Sequence, residues 1–195
     1  MDVTSYLLGK NASGGGGGDT SDYFMEELLY TPSNNSPSAN VLIKRMPTFK
    51  VASGITSLAS AFYNNSKLEK VDGITNTSQV TAVGNMFLGC GSLTEAPLFD
   101  TSSVTNCSSM FKNCSSLTDV PVYNFSSVTT CSGMFTGCTN LSEKALNNIM
   151  AICIGMTTYA GEKTLAYIGL SNLQRNKCET LSNYQALLSA GWTKS

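Results

Sequence analysis

Residues 80–103 read VTAVGNMFLGCGSLTEAPLFDTSS, residues 104–127 read VTNCSSMFKNCSSLTDVPVYNFSS, and residues 128–144 read VTTCSGMFTGCTNLSEK. The three begin 24 residues apart and agree at Val-Thr, Met-Phe, Cys and Leu, so they are tandem copies of one unit. A more diverged copy, ITSLASAFYNNSKLEKVDGITNTSQ, starts at Ile55 and is one residue longer. Before it, MPTFKVASG from Met46 matches only the second half of a unit. The array holds about three and a half copies, close to the smallest number that buries a continuous core between stacked units.

Each unit divides into two halves. The Met-Phe pairs at 86–87, 110–111 and 134–135 precede Cys90, Cys114 and Cys138 among small residues, which predicts a short helical or 3₁₀ turn with a bulky inward knob. The second half, LTEAPLF or LTDVPVY, sets Leu93, Ala96 and Leu98, then Leu117, Val120 and Val122, at the L-x-x-L-x-L spacing of the inward side of a leucine-rich strand. Parallel stacking would hold equivalent residues about 4.8 Å apart, so like residues form ladders. Alternation then leaves Glu95, Pro97 and Phe99 outward, above Asp119, Pro121 and Tyr123, with Pro47 and Phe49 at the same positions of the half unit. This concave Pro and aromatic column is the candidate binding face, because exposed apolar strips mark interaction sites and aromatics enrich their hot spots. The other reading is that the cap, the N-terminal arm or self-stacking covers it.

The flanks differ from the array. Leu146, Ile149, Met150, Cys153 and Ile154 share one helical face, with Ser142 as N-cap. Lys163–Ile168 predicts a strand. A last helix falls near Leu181–Ala190, with Tyr184, Leu187 and Leu188 inward and Gly191 as C-cap. Residues 142–195 therefore read as the end piece that a repeat array needs. Residues 1–40 are an irregular arm rich in Gly, Ser and Asn, with apolar patches at Tyr6, Leu7 and Leu8 and at Tyr23, Phe24, Leu28 and Leu29. That composition fits a flexible linker, or an anchoring arm that orders against a partner subunit. The glycine run 14–18 is followed by no Lys-Ser or Lys-Thr, which argues against a phosphate loop. The expected architecture is an α/β, short leucine-rich-repeat solenoid with a parallel sheet on one side. Its parts are the arm at 1–40, repeats at 41–141 and a helical cap at 142–195.

Composition narrows the chemistry. Twelve basic residues against 13 acidic, in 195, supply no field for gripping nucleic acid or an anionic membrane. No run of about 20 apolar residues is present to span a bilayer. The opening MDVTSYLLGK, with an acidic second residue and a short apolar run, predicts no secretory signal. There is no histidine, so the commonest general base and the commonest metal ligand are both missing. Cys90, Cys114 and Cys138, and likewise Cys107 and Cys131, repeat every 24 residues. They read as small buried hydrophobes, since a ladder aligns thiols where zinc needs four to converge. Glu95 and Asp119 are one unit apart, and a pair of carboxylates can hydrolyse a glycosidic bond. Solvated strand charges are the plainer reading. Neither an enzyme nor a cofactor nor a metal site is expected.

The strings VTNCSSMFKNCSSLTDVPVYNFSSVT and MFTGCTNL resemble the BspA-like leucine-rich repeats, whose units run roughly V-T-x-x-x-x-M-F-x-G-C-x-S-L. Repeats of that kind occur in bacterial surface proteins and in structural proteins of bacteriophages and prophages of Gram-positive hosts. The opening YLLGKNASGGGGG and the tail segments KTLAYIGL and LSNYQALLSAGW resemble the ends of such phage proteins. The resemblance implies a non-enzymatic virion component of the tail, baseplate, fibre or head surface. It would be anchored by its arm among other structural proteins, oligomeric in assembly, and display its repeats to a host protein or glycan. The alternative that it implies is a bacterial surface adhesin or interaction module. The short array and the missing signal favour the virion.

Overall fold

The computed structural model of the chain describes residues 44–195. In it, residues 24 or 25 apart lie side by side. The first contacts are parallel strand pairs: β1 (Arg45–Met46) with β3 (Lys70–Val71), and β2 (Phe49–Lys50) with β4 (Ile74–Thr75). Further along, pairing continues as single parallel bridges, Ser57 to Ala82, Ala82 to Asn106, Asn106 to Thr130, and Glu95 to Asp119. Proline accounts for the thinning in the second half of the unit. The Asp72 N–H donates to the Met46 carbonyl at 2.9 Å. Its counterparts one and two units on are Pro97 and Pro121, which have no N–H to give.

The Met-Phe half is a run of turns, not a continuous helix, and its N–H groups alternate between two destinations. Those of Met86, Leu88 and Cys90 close turns on carbonyls three residues back, at 3.2, 3.1 and 3.0 Å. Those of Asn85, Phe87 and Gly89 reach Ser108, Met110 and Lys112 of the next unit at 3.0, 2.9 and 2.8 Å. The chain bends back through left-handed residues four apart: Ser60 and Asn64, Asn85 and Gly89, Ser109 and Asn113, Gly133 and Gly137. Glycine enters that region freely and asparagine with little penalty, which explains the small residues around each cysteine.

The knobs form the core. Phe62, Phe87, Phe111 and Phe135 stack with centroids 5.1, 5.5 and 5.8 Å apart and rings within 9° of parallel. Met86, Met110 and Met134 are fully buried alongside them. Each such side chain removed from water contributes roughly 1.5–3 kcal/mol. Hydroxyl ladders satisfy carbonyls at the rim: the Thr81, Thr105 and Thr129 hydroxyls donate to Thr56, Thr81 and Thr105 at 3.2, 3.1 and 3.1 Å.

The last unit is closed by different structure. Helix α1 (Glu143–Gly155) starts where expected, with the Ala145 N–H donating to the Ser142 hydroxyl, and buries Leu146, Ile149, Met150 and Cys153, while Ile154 is only half-buried. The strand expected at Lys163–Ile168 is a turn, with one bridge from Thr164 to Thr193. Tyr167 and Ile168 turn their carbonyls to the Gly133 and Phe135 N–H groups, both at 2.8 Å, and so take the place of a next unit. An unanticipated helix, α2 (Asn172–Cys178), begins in a capping box between Ser171 and Gln174. The Gln174 amide nitrogen then donates to the Cys138 carbonyl at 2.6 Å. Helix α3 (Tyr184–Ser189) buries Leu187, but Leu188 is exposed, because so short a helix has little inward face. Its C-cap is Ala190, and Gly191 follows at φ +83°.

Candidate binding face

Strict alternation predicts Phe49, Phe99 and Tyr123 outward and Leu98 and Val122 inward. The structure has the reverse. Phe49, Phe99 and Tyr123 are 3, 6 and 3% exposed, whereas Leu98 and Val122 are 66 and 52% exposed. The alternation slips just before the prolines: Thr94 and Glu95 both face water, then Ala96 and Pro97 both face the core. The aromatic rings pack instead of facing a ligand, Phe99 on Tyr123 at 5.6 Å and Tyr123 on Phe125 at 5.3 Å. The Tyr123 hydroxyl donates to the Pro97 carbonyl at 2.7 Å, and burial pushes its phenol pKa well up. Of the other expected face residues, Pro97 is buried, and Pro47, Asp119 and Pro121 are half-buried. Glu95 alone is fully outward. The arm residues Tyr6, Leu7, Leu8, Tyr23, Phe24, Leu28 and Leu29 lie outside the described residues.

What faces solvent is a different strip. Glu95 and Leu98 of one unit are repeated by Asp119 and Val122 of the next, with exposed Thr94 and Thr118 beside them. Sequence reasoning set the two aliphatics inward; the signal that it missed was the proline immediately before each of them, Pro97 and Pro121. The carboxylates are paired, but each with its own lysine: Lys70 to Glu95 at 3.2 Å and Lys144 to Asp119 at 2.7 Å. Exposed pairs of this kind add about 0–1 kcal/mol, so they orient the strip more than they stabilise the fold. The neighbouring Arg45 guanidinium contacts both Asp72 oxygens, at 3.2 and 3.0 Å.

All seven cysteines are free and buried. The thiols of Cys90, Cys114 and Cys138 donate back to the Phe62, Phe87 and Phe111 carbonyls at 3.1, 3.1 and 3.0 Å. Burial pushes Cys90 and Cys138 up to about 12 and Cys131 and Cys178 up to about 11. A nucleophile needs the thiolate, which these sites disfavour. Among the described residues no group of three or more Cys, Asp or Glu is placed to hold a metal ion, and no helix is long and apolar enough to cross a membrane.

Residues 38–149, more than half the chain, match the family described as Mycoplasma protein of unknown function, DUF285. The chain belongs to the DUF285 family. This is the family of the BspA-like repeats that its motif resembles. No curated protein and no solved structure matches the chain. The DUF285 match starts at Ser38, before the first strand, and ends at Ile149 within α1, so most of the closing structure lies beyond it.

Proposed function

We propose that this DUF285 chain is a non-enzymatic structural and binding protein of a phage particle, a short leucine-rich-repeat solenoid held by its arm and displaying its repeats. The observation that carries the binding reading is the exposed pair Leu98 and Val122, one unit apart and accompanied by the ion-paired Glu95 and Asp119. Aliphatic side chains at one repeated position form an apolar strip that a partner can cover, and the flanking charges set its register. The repeat's polar chemistry is spent internally: its thiols and threonine hydroxyls serve backbone carbonyls. The virion address rests on the resemblance of YLLGKNASGGGGG and LSNYQALLSAGW to phage protein ends.

A cellular role is the second reading, a bacterial surface adhesin or interaction module, favoured by the family's description as a Mycoplasma protein. Mass spectrometry of density-purified particles and of host envelope fractions separates the two. Recovery with the particle proteins supports the virion reading. Recovery in the envelope of uninduced cells, with none in particles, replaces it by the adhesin.

A further inference from the structure

Gly73 stands where Leu98 and Val122 stand on the two coils that follow, and it presents no side chain. Thr48 holds the same place one coil earlier, and its hydroxyl lies 3.1 Å from where a Gly73 Cβ would be. The exposed column is therefore low at Thr48 and Gly73 and raised at Leu98 and Val122.

The charge on this face changes sign at the same place. Residues 44–75 carry five basic side chains against two acidic, and residues 94–124 carry one against three. In the column marked by the pairings Arg45 to Lys70 and Glu95 to Asp119, cations on the first coils give way to anions on the next. A low, basic half beside a raised, acidic half makes a surface complementary to itself, which is what a two-fold interface requires.

We propose that a second copy of this chain covers the strip, its coils running the opposite way, about a two-fold axis between the Gly73 and Leu98 coils. Leu98 of each copy then enters the gap over Gly73 of the other, and Val122 meets the Thr48 methyl. Lys70 of each copy faces Glu95 of the other, so the Lys70–Glu95 pair within one chain, at 3.2 Å, joins its symmetry mate in a ring of alternating charge. Charge also fixes the register. A shift by one coil sets Glu95 against Glu95 in one direction and Lys70 against Lys70 in the other. Coils running the same way would lay one basic half on the other.

Coils about 4.8 Å apart, four of them deep and spanned by strands of the length of 45–50, make a face roughly 20 Å on a side, at the small end of specific interfaces. Pairing of that size is weak and leaves the strip open in dilute solution. The inference rests on the reading of the strip as a binding surface and names a second copy as its occupant.

Sedimentation velocity on the full chain, from about 1 to about 500 µM, tests it, with Lys70→Glu and Glu95→Lys made singly and then mixed. The natural chain is expected to pass from monomer to dimer within that range. Each variant alone places like charges at both of the symmetry-related contacts and is expected to weaken the dimer at least about tenfold. An equimolar mixture of the two variants restores both contacts, and the mixed dimer is expected to form about as readily as the natural one. A natural chain that stays monomeric throughout, or a mixture that associates no better than its parts, overturns the proposal. Either result leaves the binding reading standing if Leu98→Asp with Val122→Asp still abolishes retention on particles or cells, so the two failures are told apart.

Discussion

Gly137 lies against the Asn113 carboxamide, and two turns of the array earlier Gly89 lies against the Asn64 carboxamide in the same way. All four residues are left-handed, at φ +57°, +77°, +62° and +80° in chain order. The column alternates Asn and Gly because a Cβ on either glycine would overlap the asparagine of the unit before. Gly137→Ala therefore meets both a backbone and a steric penalty, and is expected to cost roughly 1–3 kcal/mol. Gly137→Asn should cost at least as much alone and be largely rescued by Asn113→Gly. Urea unfolding of the four proteins in that cycle measures the coupling. Additive losses would mean that the two positions do not share one space.

Phe111 touches more of the ring stack than any other knob, with Phe87 and Phe135 on either side and Tyr123 at 6.3 Å. Phe111→Ala is expected to cost about 3–5 kcal/mol, and Phe111→Leu clearly less. The denaturation midpoint checks both. A loss under about 1 kcal/mol for the alanine would mean that the stack relaxes around the gap.

Much of this architecture was legible in the 24-residue period, because residues one period apart become neighbours: Phe87 and Phe111, Cys90 and Cys114, Glu95 and Asp119. Helix α1 was legible for a local reason, Ser142 before an apolar stripe. The face was not. Two-residue alternation holds only while the strand ladder continues, and Pro97 and Pro121 interrupt it, so Phe99 and Tyr123 turn in while Leu98 and Val122 turn out. The segment 163–168 misled because its apolar residues close the last unit through their carbonyls, a role decided by Gly133 and Phe135 some 30 residues away. Helix α2 did announce itself, by Ser171 and Gln174, but it is too short for periodicity to show.

The buried thiols make stability sensitive to alkali. Their pKa values in the folded chain, about 11 for Cys131 and Cys178 and about 12 for Cys90 and Cys138, exceed the ordinary 9.0. Above pH 9 the unfolded chain loses thiol protons that the folded chain retains, so raising the pH favours unfolding. The urea midpoint should hold steady below about pH 8.5 and fall as the pH rises through the range from 9 to 12. Thiol-specific labelling at neutral pH should be slow in buffer and complete in denaturant. Rapid labelling of the folded chain would show that these sites open.

The claim that this protein works by binding through its exposed strip is tested most directly by Leu98→Asp combined with Val122→Asp. Both side chains lie mostly in water, so each change should alter stability by no more than about 0.5 kcal/mol. Retention of the purified chain on particles stripped of it, and on intact host cells, is the measurement. The expected result is retention of the natural chain and loss of at least about tenfold in the double variant, with unfolding unchanged. Equal retention of the two proteins, or retention of neither, would contradict the account.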